Sequence, residues 1–118
     1  MKKSLLIGLV VIFALSGCDG LLNSEDDLRS VSVSGAKGLK DGVYVRISGS
    51  IDSFLLGEWY IFSDASGSIA VEIEDEVWVR AGVNPAGLEF PVRFEITGEV
   101  DKDRGQDAVI EVERIKKL

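Results

Sequence analysis

Residues 58–74 read EWYIFSDASGSIAVEIE. In the second half Ile69, Val71 and Ile73 alternate with Ala70, Glu72 and Glu74. A period of two puts the first set on one face of an extended chain and the second on the other, the pattern of a strand half-buried against a core. Between the halves lies Asp64-Ala65-Ser66-Gly67. Asp and Ser side chains fold back onto nearby backbone N–H groups and Gly67 supplies a positive φ at low cost, so this is turn chemistry. Residues 58–64 and 68–74 therefore predict the two strands of a hairpin.

The same pattern extends in both directions. VYVRISGSI (43–51) sets Val43, Val45 and Ile47 against Tyr44, Arg46 and Ser48, a further half-buried strand. Gly49 inside it predicts a bulge or sharp bend, and Leu56-Gly57 predicts a turn into residue 58. VRFEITGEV (92–100) and AVIEVERI (108–115) predict the last two strands. The longest connection, DEVWVRAGVNPAGLEFP (75–91), carries proline and glycine and predicts a helical turn near Val77 to Gly82. VSGAKGLKD (33–41) reads as a short helix or an irregular turn. Five short strands with a long connection between the third and fourth predict an all-β fold: a five-stranded OB-fold barrel with a short helix or irregular connection between strands 3 and 4. An SH3-like barrel is the competing arrangement. Trp59, Phe62, Trp78, Phe90 and Phe94 are expected to supply the bulk of one small core.

MKKSLLIGLVVIFALSGC (1–18) reads as an export signal, with Lys2 and Lys3 before an apolar run, residues 5–15, too short to span a bilayer comfortably. Leu15-Ser16-Gly17-Cys18 resembles the lipobox of bacterial lipoproteins, which implies lipidation of Cys18 and removal of residues 1–17. As the chain's single cysteine, Cys18 leaves no internal disulfide. Residues 18–35 are expected to be an acidic flexible tether and residues 36–118 the OB-fold domain. Asp19 matches the residue that retains lipoproteins in the inner membrane of many enteric bacteria, and the choice between inner and outer membrane stays open. The chain carries 13 Lys and Arg against 20 Asp and Glu. Without Lys2 and Lys3 the balance is 11 against 20, a net charge of −9, which disfavours nucleic acid and anionic headgroups as partners.

With no histidine, Ser-His and Cys-His pairs and His-based metal centres are excluded, so the chain is expected not to be an enzyme and to need no cofactor. The spelling Asp101-x-Asp103-x-Gly105 invites a calcium reading, but an EF-hand loop needs helices on both sides and a glutamate at its twelfth position, where Val112 stands. Asp101, Asp103 and Asp107 remain a looser candidate cation set on a hairpin loop. Glu72, Glu74, Glu111 and Glu113 fall on polar strand faces. They are either a solvated surface that guards the strands or a negative surface for a cationic ligand. Tyr44, Trp59 and Trp78 are either packing residues or lining of a binding face, which Arg104 in the last loop would border.

Phe62-x-Asp64-Ala65-Ser66-Gly67-x-Ile69-x-Val71-x-Ile73, then Val77-Trp78, then Glu95-Ile96-x-Gly98-Glu99-Val100-Asp101-Lys102-Asp103 and Ile110-x-Val112-x-x-Ile115 together resemble the bacterial OB-fold (BOF) family of periplasmic stress-tolerance proteins. The resemblance covers roughly Ala36 to Leu118. It implies an exported OB barrel without catalytic residues, associated with envelope stress from peroxide, metals and cationic antimicrobial peptides. Where relatives tend to carry an aromatic residue after Asp103, this chain has Arg104. The expectation is a lipid-anchored, periplasm-facing binding protein whose partner is a cationic peptide, an envelope small molecule or glycan, or an envelope protein. Its contact with the membrane is expected through the lipid alone. The alternative is a structural or adaptor domain of a larger envelope complex.

Overall fold

A computed structural model describes residues 28–103 and 107–118 of the chain. Cys18, the signal-like segment, most of the expected tether and Arg104 lie outside these residues. In order along the chain come β1 (Arg29–Ser30), α1 (Val33–Lys37), β2 (Tyr44–Leu56), β3 (Trp59–Asp64), β4 (Gly67–Glu72), α2 (Asp75–Ala81), a 3-10 turn (Pro85–Gly87), β5 (Val92–Asp101) and β6 (Val109–Lys117).

β2 is long enough to serve two neighbours. Tyr44 to Ile51 pair antiparallel with β5, and Ser50 to Leu56 pair antiparallel with β3. β3 continues to β4, β4 runs parallel to β6, and β6 returns to β5. The ring β2-β3-β4-β6-β5-β2 is the closed five-stranded OB barrel, with α2 between its third and fourth strands. Alternation does the rest: Val45, Ile47 and Ile51 of β2, Phe62 of β3, Val71 of β4, Phe94, Ile96 and Val100 of β5 and Ile110 of β6 are all buried inside. α2 turns Val77 and Trp78 into the core and stops at Gly82, whose φ of 73° places it in the left-handed C-cap.

Gly49 has a different role from the expected bulge. It pairs in register with Phe94, and the register breaks fall later, between Ile51 and Ser53 and between Phe54 and Leu56. A Cβ at Gly49 would overlap the Ser63 carbonyl and the Phe62 ring. The glycine permits close approach of β3 where β2 passes from one partner to the other. Gly98 plays a similar part against Glu111, beside the break in the β5–β6 register at Thr97 and Gly98.

The folded part also begins earlier than residue 36. Arg29 and Ser30 pair parallel with Val45 and Arg46, and Val33 and Ala36 are fully buried. The first free N–H groups of α1 each find an acceptor: Val33 donates to Asp64 Oδ2 at 2.9 Å, Ser34 to Ser66 Oγ at 2.9 Å and Gly35 to Ser32 Oγ at 3.0 Å. Asp64 Oδ1 accepts from the Ser66 N–H and hydroxyl. The Asp64-to-Gly67 turn is therefore also a clamp that caps a helix 31 residues earlier in the chain. Partial burial pushes the Asp64 carboxyl upward, but the Ser66 hydroxyl and the Val33, Ser66 and Gly67 N–H groups outweigh it and hold the group below its ordinary value of 3.8.

Asp64→Ala is expected to cost about 1–2 kcal/mol, the scale of a lost N-cap. Because the folded state lowers this carboxyl's pKa, its contribution is complete above pH 3.8 and is lost as pH falls below that value. Urea melts of both proteins at pH 7 and pH 3 check this: equal gaps at the two pH values would show that ionised Asp64 does not hold the clamp. Gly49→Ala is expected to lower stability by about 1–3 kcal/mol through overpacking, and a thermal melt unchanged from the parent would remove the close-approach explanation.

Candidate functional site

Register alone assembles one row of side chains around the barrel. Trp59 pairs with Glu72, Glu72 with Glu111, Glu111 with Glu99, and Glu99 with Tyr44. Successive strands lie about 4.8 Å apart, so three carboxylates stand side by side with an aromatic ring at each end, over a span of ~19 Å. All five side chains are half-buried or exposed. Glu99 was not among the residues singled out from the sequence; the signal that would have found it is the register, since Glu99 faces Tyr44 and Glu111 from a strand between them.

Next to this row a cleft of about 650 Å³ opens between the α2 end of β4 and the middle of β6. Tyr44, Glu72, Glu74, Glu111 and Glu113 line it, joined by Glu76 and Arg80 from α2 and by Leu28 and Arg114. Tyr44 donates its hydroxyl to Glu113 Oε2 at 3.1 Å. Glu113 reaches this position because it is the extra residue at the β-bulge: Thr97 pairs with Arg114 and Gly98 with Val112, leaving Glu113 unmatched between them. Desolvation, then Glu113, Glu99 and Glu111, raise the Tyr44 phenol above its ordinary 10.0. Glu58, at the β2–β3 turn, is likewise raised, by desolvation first and then by Glu74, Asp75 and Glu72. Five glutamates, Glu72, Glu74, Glu76, Glu111 and Glu113, face two arginines, Arg80 and Arg114, in this cleft, and Arg80 ion-pairs with Glu76 at 3.5 Å and donates to the Glu113 carbonyl at 2.8 Å.

The other expected site residues are placed as follows. Trp59 is half-buried at one end of the row and outside the cleft lining. Trp78 is 2% exposed and lies in the core, edge-on to Tyr60 at 5.5 Å and to Phe94 at 5.9 Å, so it packs and does not line a binding face. Its indole N–H has no hydrogen-bond acceptor among the described residues, and the neighbouring Tyr60 phenol is held above its ordinary 10.0 by burial, which the nearby indole N–H only partly offsets. Asp101 and Asp103 do come together, but the third member of their cluster is Asp41, not Asp107. The Gly42 N–H donates to the Val100 carbonyl, which brings Asp41 to the end of β5.

These carboxylates are partly occupied by turn chemistry. Asp101 Oδ1 accepts from the Asp103 N–H at 2.8 Å and Asp41 Oδ1 from the Lys102 N–H at 2.7 Å. Carboxylate oxygens of Asp41, Asp101 and Asp103 lie within 4.8 Å of one another, as do those of Glu58, Glu72 and Glu74. Each trio offers hard oxygen donors of the type that suits calcium, in fewer than the six to eight positions that ion takes.

The Tyr44 environment is directly measurable. The chain has two tyrosines, so in a Tyr60→Phe background the ultraviolet titration reports Tyr44 alone. It is expected to ionise above pH 10, and Glu113→Gln is expected to move it downward without reaching the ordinary value, since desolvation is the larger cause. An unmoved titration would separate Tyr44 from Glu113 in solution.

Comparison with known proteins adds identity to this geometry. The family description "Bacterial OB fold (BOF) protein" matches residues 18–117. Protein YgiW of Escherichia coli K12 is 37% identical over 87 residues, which cover 74% of this chain and 62% of that protein. The calcium-regulated OB-fold protein CarO of Pseudomonas aeruginosa is 36% identical over 74 residues, covering 63% and 60%. The chain thus spans less than two thirds of the length of these curated relatives. The solved structure of E. coli ygiW superposes with a TM-score of 0.63 at 36% identity, covering 75% of this chain and 89% of that one. The telomere capping protein Ten1 of Saccharomyces pombe, at a TM-score of 0.58 and 18% identity over 76% of this chain and 80% of that one, shares the fold alone. The closed barrel and these matches agree: the chain belongs to the bacterial OB fold (BOF) protein family.

Proposed function

We propose that this BOF protein is a non-catalytic binding protein of the cell envelope, lipid-anchored through Cys18 and facing the periplasm, that captures cationic ligands such as basic peptides during envelope stress. The observation that carries the reading is the gathering of Tyr44, Glu72, Glu74, Glu111 and Glu113 around one cleft of about 650 Å³. The acidic strand faces seen in the sequence need not have converged; separate placement around the barrel would have favoured a solvated surface.

Two further features support it. Glu72 faces Glu111 and Glu111 faces Glu99 directly across neighbouring strands, so one cationic ligand can meet several carboxylates at once. A ligand that binds only the folded barrel stabilises it, so ligand binding and barrel stability rise together. Tyr44, exposed at one end of the row, offers a π face on which an ammonium or guanidinium group is attracted by about 0.5–1 kcal/mol at an exposed site. The negative field also speeds encounter with cations in a salt-dependent way.

Titration of an Arg- and Lys-rich peptide into the protein, followed by fluorescence anisotropy, is expected to show binding that weakens steeply between 50 mM and 500 mM salt. The combined variant Glu72→Gln, Glu74→Gln, Glu111→Gln, Glu113→Gln is expected to lose tenfold or more in affinity, about 1.4 kcal/mol, while melting no lower than the parent. Parental affinity in that folded variant would falsify the electrostatic capture.

A further inference from the structure

Six large apolar side chains are well exposed among the described residues, and three of them are consecutive: Phe54, Leu55 and Leu56, at 51%, 50% and 77%. They close β2 at the hairpin with β3. A regular strand would send every second side chain back to the barrel. Here Phe54 pairs with Tyr60 and Leu56 with Trp59, so Leu55 is an inserted residue and the alternation breaks. Gly57, at φ 62°, makes the turn. The tip is braced from behind: the Phe54 ring stands edge-on to Tyr60 at 5.5 Å, and Tyr60 contacts Trp78 and Phe90 in the same manner. The acidic cleft makes no use of these residues.

We propose that this tip is a membrane wedge, with Phe54, Leu55 and Leu56 seated at the headgroup–acyl boundary of the bilayer that holds Cys18. The proposal rests on the lipid-anchored reading above. The length of chain before the fold is what selects a bilayer over other occupants. Cys18 and Leu28 are ten residues apart, at most ~35 Å when extended. Every exposed apolar loop of the domain is thereby kept within reach of the membrane, and an insertion too weak to recruit a free protein becomes effective at that local concentration. β1 holds Leu28 near the start of β2, and the tip is its other end. A straight β2 of 13 residues would separate them by ~40 Å. A barrel lying along the surface brings both ends to the bilayer. The acids at the tip's base, Asp52 and Glu58, choose the headgroup: zwitterionic lipid accepts the wedge better than anionic lipid, which repels it.

The test uses the lipidated full chain in vesicles of phosphatidylcholine and phosphatidylethanolamine, with Leu56→Cys carrying an environment-sensitive fluorophore and Ser68→Cys, on the exposed β3–β4 side, as the control. The Leu56→Cys label is expected to shift to the blue and to be quenched by nitroxide lipids at least about threefold more than the control. Replacing a third of the lipid with phosphatidylglycerol, or adding Phe54→Ser and Leu55→Ser, is expected to diminish both signals. Flotation with the vesicles is read separately. A chain that floats with an unquenched tip overturns the wedge alone, whereas one that does not float overturns the anchor and the wedge with it. A blue shift that grows with protein density and ignores nitroxide lipid would place the tip against a second copy, and likewise overturns the proposal.

Discussion

A five-stranded sheet leaves two rows of unpaired backbone groups unless its ends meet, and in this protein they meet on β2. The first half of that strand bonds to β5 and the second half to β3. The same backbone must therefore turn from one neighbour to the other without losing its hydrogen bonds. At the hand-over, Gly49 admits the Ser63 carbonyl and the Phe62 ring into the space a side chain would fill. With closure, the edges vanish and the inward faces of five strands share one interior. Phe62 and Phe94 fill that interior, with Trp78 stacked edge-on against Phe94.

Closure also decides where the charges go. On any one strand, a polar face is ordinary. Once β3, β4, β6, β5 and β2 are bonded side by side, Glu72, Glu111 and Glu99 fall into one transverse row between Trp59 and Tyr44. The bulge on β6 then aims Glu113 at the Tyr44 hydroxyl. A sheet pays for such like-charge neighbours in stability unless something positive sits against them. The row therefore sets three carboxylates side by side across β4, β6 and β5, an arrangement no single strand contains. The hairpin tip at Phe54 to Leu56 shows the same logic in apolar form, since a break in strand register exposes side chains that regular pairing would have hidden.

Much of this was legible before folding. The alternation of Ile69, Val71 and Ile73 marks a strand whether or not a barrel forms, and all three are buried in the structure. The turn at Asp64 to Gly67 was equally plain, but its longer reach was hidden. Nothing near Asp64 in the sequence indicates that its second oxygen caps the helix at Val33, so the folded part begins earlier than local pattern alone indicates. The irregular spacing Ile110-x-Val112-x-x-Ile115 contained the β6 bulge in plain view, because two polar residues between buried ones require one extra residue in the pairing. Trp78 was ambiguous for the opposite reason: a tryptophan on a short helix reads alike as lining or as core until the helix is docked. The aspartates of the last loop were legible as turn chemistry, yet Asp41, their spatial neighbour, comes from sixty residues earlier in the chain.

What the sequence by itself determined is whatever depends on near neighbours: strand periodicity, glycine and aspartate turns, the absence of histidine chemistry and the negative charge. Those properties arise within a few residues and survive any arrangement of the rest. Only the tertiary structure decided which strands lie side by side, and with that the register that lines up Glu72, Glu111 and Glu99, the clamp from Asp64 to α1, and the exposure of Phe54 to Leu56. The physical reason is that pairing across strands is set by closure of the whole ring, so a contact between residues dozens of positions apart is fixed by the sum of all the pairings and by no single stretch of the chain.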